Sequence, residues 1–551
     1  MKRSLLLVVL CFWLAGAFAQ AEWSYAFRGG YNANDKVEDV ATTSSFMGIS
    51  KYVVGSFDYT TWFGSHQLIA TGDGFDIFVA KMNPDGTWAW AVKGGGNQYD
   101  DMALNVAIDG LGNIYVTGYF QGTGSFGSDV LYSTVGNQPD VFVWKMDTNG
   151  NHQWARSGGS SGPDFSRGIS CDNTGSAYLT GSFDGHAWFG DIEVDLMDNF
   201  EDIFVAKIDP NGNWSWVATA GSYMATNRYQ RGLAIHTDYS SGTSYITGYA
   251  ECPVVFGPHP GIGSAAGGKE IFVASITNWG EWGYPAKVVQ GSGTDAGRGI
   301  WADLNGNIYI TGDFDGTCLF ADPISLTTAG NKDIFIAKAG PDLAFQWARR
   351  AGGTGEDSGK AIVGSNAIYV GGYFSLTATF GLREFQSVHY GDAFVSKLDT
   401  NGNWLCTRQA GGFGDDEATG ISSSLIRLDY AITLAGSFSY TVEFSPFSLT
   451  SAGASDVFVA GPIFTDTPYG PAPPKNIHIS AAGNAITLTW DPVTLDTNGD
   501  PHPADYYSIY CSQDPFGSFA SQGSTPETSL IQTLAPGDNL PRFYYVKAHY
   551  Y

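Results

Sequence analysis

Residues 113–120 read Asn113-Ile114-Tyr115-Val116-Thr117-Gly118-Tyr119-Phe120, an apolar run that ends in a glycine and two aromatics. The glycine of this run recurs at Gly55, Gly181, Gly248, Gly312, Gly372 and Gly436. Downstream of each copy, an acid opens a second apolar run, at Asp76, Asp140, Asp202, Glu270, Asp333, Asp392 and Asp456. The spacings of this second marker run from 59 to 68 residues. Two independent markers therefore count seven repeats, because chance would not keep them in step.

Each repeat reads as four β-strands. A short apolar strand such as 103–108 precedes the glycine run, and a tryptophan-bearing strand such as Trp154–Gly159 follows the acidic marker. Turns of the form Asp-x-Asn-Gly, as at Asp147–Gly150, separate the last two strands. Alternating β-branched and aromatic residues bounded by such turns are hairpin signals.

Seven four-stranded antiparallel repeats of even spacing predict an all-β fold, a seven-bladed β-propeller. The lone strand Trp23–Gly30 has no partner before it, and the last repeat supplies three strands between Ala418 and Gly461. We therefore expect the N-terminal strand to close the ring by completing the seventh blade, which removes open sheet edges.

The quoted run, together with Phe126-Gly127, the segment Asp140–Lys145 and the turn Asp147–Gly150, resembles the bacterial seven-bladed propeller repeat called SBBP. The resemblance covers about residues 23–463 and departs most in the fourth repeat, where Glu270 replaces Asp and Ser275 replaces Lys. It implies an exported bacterial propeller. It implies no reaction, since propellers host many functions.

Residues 1–19 have the features of a secretory signal peptide: Lys2 and Arg3, an apolar run from Leu5 to Leu14, and the cleavage pattern Ala17-Phe18-Ala19. The run is too short to span a bilayer, so the sequence predicts no transmembrane segment. With the bacterial resemblance, the mature chain is expected in the periplasm, at the cell surface or in the medium. It is expected either to continue past Tyr551 or to be released in soluble form.

Composition and charge exclude several functional classes. The chain has 28 Lys+Arg against 54 Asp+Glu, a net charge of −26 that becomes −28 when Lys2 and Arg3 are removed. Such a charge repels phosphate backbones, so nucleic acid is excluded as a partner. Charged residues make up only 15% of the chain, and 72 of its 551 residues are glycine. This balance argues against helical bundles and acidic disordered tails.

Beyond the propeller, which we assign to residues 20–463, five prolines between Pro462 and Pro474 predict a stiff linker over 464–475. Apolar and polar residues alternate in several segments of residues 476–551, as they do in β-strands. These segments contain Trp490, the Tyr507–Tyr510 run and Val546. They resemble a fibronectin type III domain, a β-sandwich. One strand is missing from this pattern, which implies a fragment or an edge supplied from elsewhere.

No cofactor and no metal site is expected. Nine histidines form neither His-x-His nor His-Glu-x-x-His, and no nucleotide-binding fingerprint opens a helix. The Asp-x-Asn-Gly turns lack the full ligand set of a calcium loop. The five cysteines after the signal peptide include no C-x-x-C pair and are expected to be single buried thiols, with a pair across neighbouring repeats left open: Cys171, Cys252, Cys318, Cys406 and Cys511.

A second series of acids precedes the first strand of each repeat: Asp39, Asp101, Asp164, Asp295, Asp357 and Asp416, with Arg228 in the fourth place. If these loops surround the mouth of the central channel, their side chains would bind a cation or a hydroxylated ligand. The alternative is turn capping and local ion pairing, since a base follows three residues later in several repeats. The acids that open the third strands are expected to bond local backbone amides instead.

Two functions follow from this pattern. The first is an exported, non-enzymatic binding, scaffold or adhesion protein whose partner is an extracellular glycan or protein. The rival is a carbohydrate-active hydrolase or lyase with acids at one mouth of the channel. An enzyme should concentrate unusual polar residues around one pocket, and only the fourth repeat hints at this, with Arg228, His236 and Glu251. No sequence feature fixes an oligomeric state.

Overall fold

The structure is a computed structural model. It describes residues 22–32, 34–96, 99–195, 200–222, 229–251, 253–263, 268–291, 293–426, 429–464, 474, 477–482, 485–494, 504, 506–512, 520–533 and 543–549. The predicted signal peptide, most of the predicted linker and Arg228 lie outside these residues. Ala21–Ile463 forms one compact unit, and Phe464–Tyr551 belongs to another.

The described residues form strands and no helix, so no membrane-crossing helix exists among them. The strands of the first three repeats are β1 (Trp23–Gly29), β2 (Asp35–Ser45), β3 (Gly48–Phe57), β4 (Thr60–Phe63), β5 (His66–Ile69), β6 (Asp76–Met82), β7 (Trp88–Gly95), β8 (Met102–Ile108), β9 (Ile114–Gln121), β10 (Thr123–Phe126), β11 (Asp129–Tyr132), β12 (Pro139–Met146), β13 (His152–Gly159), β14 (Phe165–Cys171), β15 (Ala177–Phe183), β16 (Ala187–Phe189), β17 (Ile192–Val194), β18 (Asp202–Ile208) and β19 (Trp214–Gly221).

The strands of the later repeats are β20 (Gln230–Thr237), β21 (Ser244–Ala250), β22 (Val255–Phe256), β23 (Glu270–Ile276), β24 (Lys287–Gly291), β25 (Ala296–Ala302), β26 (Ile308–Phe314), β27 (Thr317–Ala321), β28 (Ile324–Thr327), β29 (Asp333–Ala339), β30 (Phe345–Gly353), β31 (Ser358–Gly364), β32 (Ile368–Phe380), β33 (Arg383–Leu398), β34 (Trp404–Gly412), β35 (Asp416–Ile426), β36 (Asp429–Phe438), β37 (Thr441–Phe444), β38 (Phe447–Thr450) and β39 (Asp456–Pro462).

These strands build an all-β, propeller-like arrangement. Counted as continuous sheets, it has five separate blades of four to six strands, not the predicted seven. Two further repeats share a ten-stranded sheet, because β32 pairs with β31 along its first half and with the preceding repeat's β30 along its second half. Strands β4 and β5 form a two-stranded sheet of their own.

Apolar side chains from adjacent sheets pack against each other, as sheets covered on both faces require. In one such core, Val54 and Ile77 of the first repeat meet Val116, Phe142 and Trp144 of the second. The glycine-run strands and the acid-marker strands are almost fully buried, and they supply most of this core. The repeated sequence markers are therefore packing positions.

The N-terminal strand closes the arrangement as predicted. Strand β1 pairs antiparallel with β39, in a four-stranded sheet of order β1-β39-β36-β35. Trp23 is fully buried there, and its ring meets Phe444 edge-on at 4.9 Å between centroids.

The prediction of four strands per repeat was incomplete, because a short extra hairpin follows the second strand. Hairpin β10–β11 is an example, and its first strand pairs with β7 of the preceding repeat through Phe126 and Gly94. The same arrangement places β16 on β13, β22 on β19, β27 on β24 and β37 on β34. These hairpins therefore cover the outer edge of the preceding sheet, an edge that would otherwise invite association, whereas β4–β5 pairs with no other strand.

The C-terminal unit contains β40 (His478–Ala482), β41 (Ala485–Thr489), β42 (Tyr506–Ser512), β43 (Ala520–Thr525), β44 (Ser529–Thr533) and β45 (Phe543–His549). They form two three-stranded sheets, of order β40-β41-β44 and β43-β42-β45. Trp490, Tyr507 and Val546 share one core, with the Trp490 and Tyr507 rings 5.3 Å apart.

Candidate functional site

The first strand of every repeat carries a register shift at the same place. In β14, for example, the pairing with β15 passes from Ser166 to Gly168, so that Arg167 is the extra residue of a β-bulge. Bulges re-aim the side chain of the extra residue. The seven extra residues are named the bulge ring here: Glu38, Leu104, Arg167, Leu233, Arg298, Lys360 and Thr419.

All seven members of the bulge ring line one cavity of about 780 Å³, which we call the channel cavity. Residues from the first strand of every repeat contribute to its wall, so it lies where these strands converge. Ser437, Ser439 and Ser455 add hydroxyl groups from other strands and loops of the last repeat. The cavity is thus large enough for a ligand of a few sugar rings or a short peptide.

Small residues after the bulges bring neighbouring first strands together. A Cβ added to Gly420 would lie 2.7 Å from the backbone nitrogen of Val40, so only glycine fits where the last repeat meets the first. In the first two repeats, a polar side chain fills this position and bonds the next strand. Asp39 accepts the Val106 amide at 3.1 Å, and Asn105 accepts the Ile169 amide at 2.9 Å.

Charged groups of both signs face the channel cavity: Lys36, Glu38, Asp39, Arg167, Arg298, Lys360, Asp415 and Glu417. Several are paired locally. Lys360 lies 2.5 Å from Glu417, and Arg298 pairs with Asp313, which also holds Lys332 at 2.9 Å. The cavity wall therefore carries equal numbers of bases and acids, whereas the whole chain has about two acids for each base.

Arg167 differs from the other bases of the cavity because it carries a buried hydrogen-bond donor without a partner, and it forms no ion pair with any residue that the structure describes. Its Nε atom is buried without a hydrogen-bond partner. Its guanidinium carbon lies 5.1 Å from the centre of the Phe165 ring, and that of Arg231 lies 5.9 Å from the same centre. Burial and the neighbouring Arg231 guanidinium lower the pKa of Arg167. Arg231 itself is held by both carboxylate oxygens of Glu201.

Two acids of the cavity have raised pKa values. Burial, followed by repulsion from Glu417, raises the pKa of Glu38 to about 7. Burial also raises the pKa of Asp39 to about 7, against two backbone hydrogen bonds that favour its ionised form. A carboxyl group in this state can either accept or donate a hydrogen bond near neutral pH.

The candidate acids from the sequence lie elsewhere. Asp101, Asp164, Asp295, Asp357 and Asp416 are at most 1% exposed, at the junction between successive sheets and not in the cavity wall. Asp101 accepts the Gly96 and Gln121 amides at 2.5 and 2.8 Å, and Asp357 accepts the Gly353 and Ser375 amides at 2.8 and 3.0 Å. This geometry matches the turn-capping alternative. Ligand binding by these acids stays a prediction.

Four of these buried acids approach the acid that opens the preceding third strand: Asp101, Asp164, Asp357 and Asp416. At Gly95, an added Cβ would lie 2.8 Å from both the Asp76 and the Asp101 carboxylates. Burial first, and repulsion from Asp76 among the smaller causes, raise the pKa of Asp101 to about 7. The pKa rises in the same way to about 8 for Asp164, beside Asp140, and to about 8 for Asp416, beside Asp392.

Two members of the predicted series were assigned to the wrong position. The other acids lie three residues before the bulge-ring residue, and the structure places Asp35 and Gln230 there, not Asp39 and Arg228. Asp35 is buried and accepts the Tyr31 amide at 2.8 Å. Gln230, turned so that its nitrogen faces the acid, donates to Asp202 at 3.2 Å. Arg228 itself lies outside the described residues.

The other polar residues of the fourth repeat do not gather at one pocket. His236 lies on β20, 6.3 Å from the Trp301 ring, and burial lowers its pKa to about 4. Glu251 accepts the Tyr229 amide at 3.3 Å. Among the residues that the structure describes, no cluster of His, Cys, Asp and Glu side chains has the geometry of a metal site. Cys171 and Cys318 are buried thiols, and Cys318 donates to Asp295 at 3.1 Å.

No known family model matches the sequence, and no curated protein matches it either. Among solved structures, Sqt1 from Chaetomium thermophilum is similar over 85% of this chain and 96% of its own, at 9% identity and a TM-score of 0.35. A structure described as a glycoside hydrolase is similar over 81% of this chain and 94% of its own, at 10% identity and a TM-score of 0.26. Both likenesses are too remote to carry an argument about function.

Proposed function

We propose that this chain is an exported, non-enzymatic binding protein whose ligand site is the channel cavity. One observation carries the proposal. The repeats hold nearly the same residues at their packing positions, yet the bulge ring holds a different set of acidic, basic, polar and apolar side chains facing one cavity of about 780 Å³. Different side chains around one cavity, held on a repeated frame, are what ligand recognition requires.

The architecture proposed with it is a seven-bladed propeller of the SBBP type. In this reading the ten-stranded sheet comprises two blades, β25-β26-β29-β30 and β31-β32-β33-β34, joined through the extra hairpin of the second. The two C-terminal sheets would be the faces of a fibronectin type III sandwich, serving as a spacer or adhesion module. Residues 1–19 would direct export from a bacterium, and residues 464–475 would separate the two domains.

The proposal is tested with the mature full-length protein on a glycan array and in binding assays with extracellular proteins. A cavity-filling variant, Leu104→Trp, should abolish binding, because it places an indole in the cavity wall. Leu111→Trp is the matched control, since Leu111 is 84% exposed on a turn. Binding that survives Leu104→Trp would place the site elsewhere and overturn the proposal.

The second candidate function, a carbohydrate-active hydrolase or lyase, is favoured by Glu38. Its carboxyl faces the cavity beside Glu417, and its pKa of about 7 suits a general acid. Incubation of the protein with polysaccharides, followed by detection of new reducing ends or unsaturated products, separates the two functions. Turnover that Glu38→Gln abolishes would establish the enzyme, whereas binding without turnover supports the scaffold.

A further inference from the structure

Among the described bases that line the channel cavity, Arg167 is the one with a buried hydrogen-bond donor that has no partner. Its Nε is buried with no partner, and no described carboxylate pairs with its guanidinium. Buried polar groups in native proteins are nearly always satisfied, so an exception calls for an explanation. The second guanidinium nearby, that of Arg231, increases the local positive charge without competing for the cavity, because Glu201 already binds it.

The geometry of the Arg167 guanidinium limits the chemical class of the ligand. A guanidinium presents its donors in a planar fork that matches a carboxylate through two parallel hydrogen bonds. The Phe165 ring lies against the Arg167 guanidinium and limits the access of water to that side of the group. The chain as a whole is strongly acidic, so an unpaired arginine inside a cavity is not part of a general basic surface.

The rest of the cavity wall suits hydroxyl groups. Glu38 offers oxygen acceptors, and the Ser437 hydroxyl, which accepts the Val37 amide at 3.0 Å, offers a donor. Leu104 and Leu233 provide apolar surface between these polar groups. An acidic sugar presents the matching groups, namely a carboxylate, hydroxyl groups and the apolar faces of its ring.

We propose that the channel cavity binds a glycan that carries a carboxylate, with Arg167 as the group that binds this carboxylate. The proposal rests on the cavity being the ligand site, and it goes further by naming the class of ligand. Bases paired within the wall, such as Lys360 with Glu417, keep their partners when the ligand binds.

The experiment is a calorimetric titration of the mature full-length protein with two matched probes, trigalacturonic acid and its trimethyl ester. The ester keeps the hydroxyl groups and the ring but loses the negative charges. The acid should bind about tenfold more tightly or better, as expected for a charge-assisted bidentate contact. Equal affinity for the two probes, or binding of neither, would overturn the assignment of a carboxylate ligand.

The role of Arg167 is tested with Arg167→Gln, which should weaken binding of the acid about tenfold or more and leave that of the ester unchanged. Arg156→Gln is the matched control, because Arg156 donates to the Gly212 carbonyl at 3.0 Å and does not line the cavity. Unchanged affinity of Arg167→Gln for the acid would contradict the proposal. If Arg167→Gln fails to fold, Arg167→Lys keeps the charge without the planar fork and should show an intermediate loss.

These outcomes separate this inference from the proposed function. Binding of a neutral glycan that Leu104→Trp abolishes but Arg167→Gln leaves intact would retain the cavity as the site and refute the acidic ligand. Absence of any cavity-dependent binding would refute both.

Discussion

The indole nitrogen of Trp154 donates a hydrogen bond to the carbonyl oxygen of Pro210, 3.0 Å away in the next repeat. The Lys145 ammonium group donates to the same oxygen at 2.9 Å. The pattern recurs with Trp90 and Lys81, which both bind the Thr148 carbonyl. In both repeats, the lysine of the third strand and the tryptophan of the fourth strand thus hydrogen-bond to a turn of the next repeat.

Replacing Trp154 with Phe should therefore destabilise the protein. The ring still packs, but the hydrogen bond to Pro210 is lost, which lowers the free energy of unfolding by about 1 kcal/mol. The midpoint of denaturant unfolding measures the effect. Trp188→Phe is the control, because Trp188 is 45% exposed, and an equal shift in the two variants would contradict the role of the hydrogen bond.

The extra hairpins make a second prediction. Phe126 of β10 is fully buried, and its ring lies 4.8 Å from that of Phe142 and 5.6 Å from that of Trp144. Phe126→Ala should lower the free energy of unfolding by about 3–5 kcal/mol, because it leaves a cavity at the covered sheet edge. Phe46→Ala, at a fully exposed turn, should change it by less than about 0.5 kcal/mol. Similar losses in both would argue against the hairpin as a packing element.

The N-terminal strand gives a third prediction. Trp23 is buried against β39 and Phe444, which both lie far from it in sequence. Trp23→Ala should lower the free energy of unfolding by about 3–5 kcal/mol, since the last sheet loses its main anchor. Limited proteolysis at β1 would report the loosened strand. Trp279→Ala, on an 80% exposed indole, should leave the protease pattern unchanged.

The buried carboxyl pairs predict an unusual dependence of stability on pH. The pKa values of Asp101 and Asp357 are raised to about 7, and those of Asp164 and Asp416 to about 8. Between pH 4 and 8, the native state therefore holds more protons than the unfolded chain, in which aspartate titrates near 3.9. The stability from these groups is complete below about pH 4 and is lost as the pH rises through 7 and 8. Unfolding midpoints should be higher at pH 5 than at pH 8.5.

Asp416→Asn isolates one contribution to this dependence. The amide stays neutral at high pH, which removes the cost of burying a carboxylate and the repulsion from Asp392, so the difference in unfolding midpoint between pH 5 and pH 8.5 should shrink. The exposed Asp73→Asn should leave the difference as in the unmodified protein. A steeper loss of stability at high pH in Asp416→Asn would refute the assignment.

The sequence predicted the repeats, their strand types and the ring closure by β1 because these depend on periodic apolar residues. It did not reveal the extra hairpins, since β10 and β11 are only four residues each, too short for a periodic pattern to be recognised. The predicted count of seven blades also differs from the number of separate sheets. The reason is that β32 and β33 each continue without a break from the four-stranded part of their repeat into its extra hairpin.

The candidate site was harder to predict for two physical reasons. A carboxylate before a strand has the same sequence signature whether it faces a channel or caps a turn, and burial decides between them. The sequence markers also do not fix a position within a strand, and Asp35 and Asp39 lie four residues apart on either side of the bulge-ring residue Glu38. The bulge ring itself has no common residue type, so Arg167 stood out in sequence only as a base that follows Asp164.

The pairing of β1 with β39 has a mechanical consequence. Trp23 at the start of β1 lies opposite Pro462 at the end of β39, so both chain ends leave the propeller-like unit at the same end of one ladder. A force pulling the two ends apart would load these hydrogen bonds one after another, as a zipper opens, and not all together in shear. The unit would therefore open at low force when it is placed in series within a stretched chain, whereas attachment through one end puts no load on this ladder.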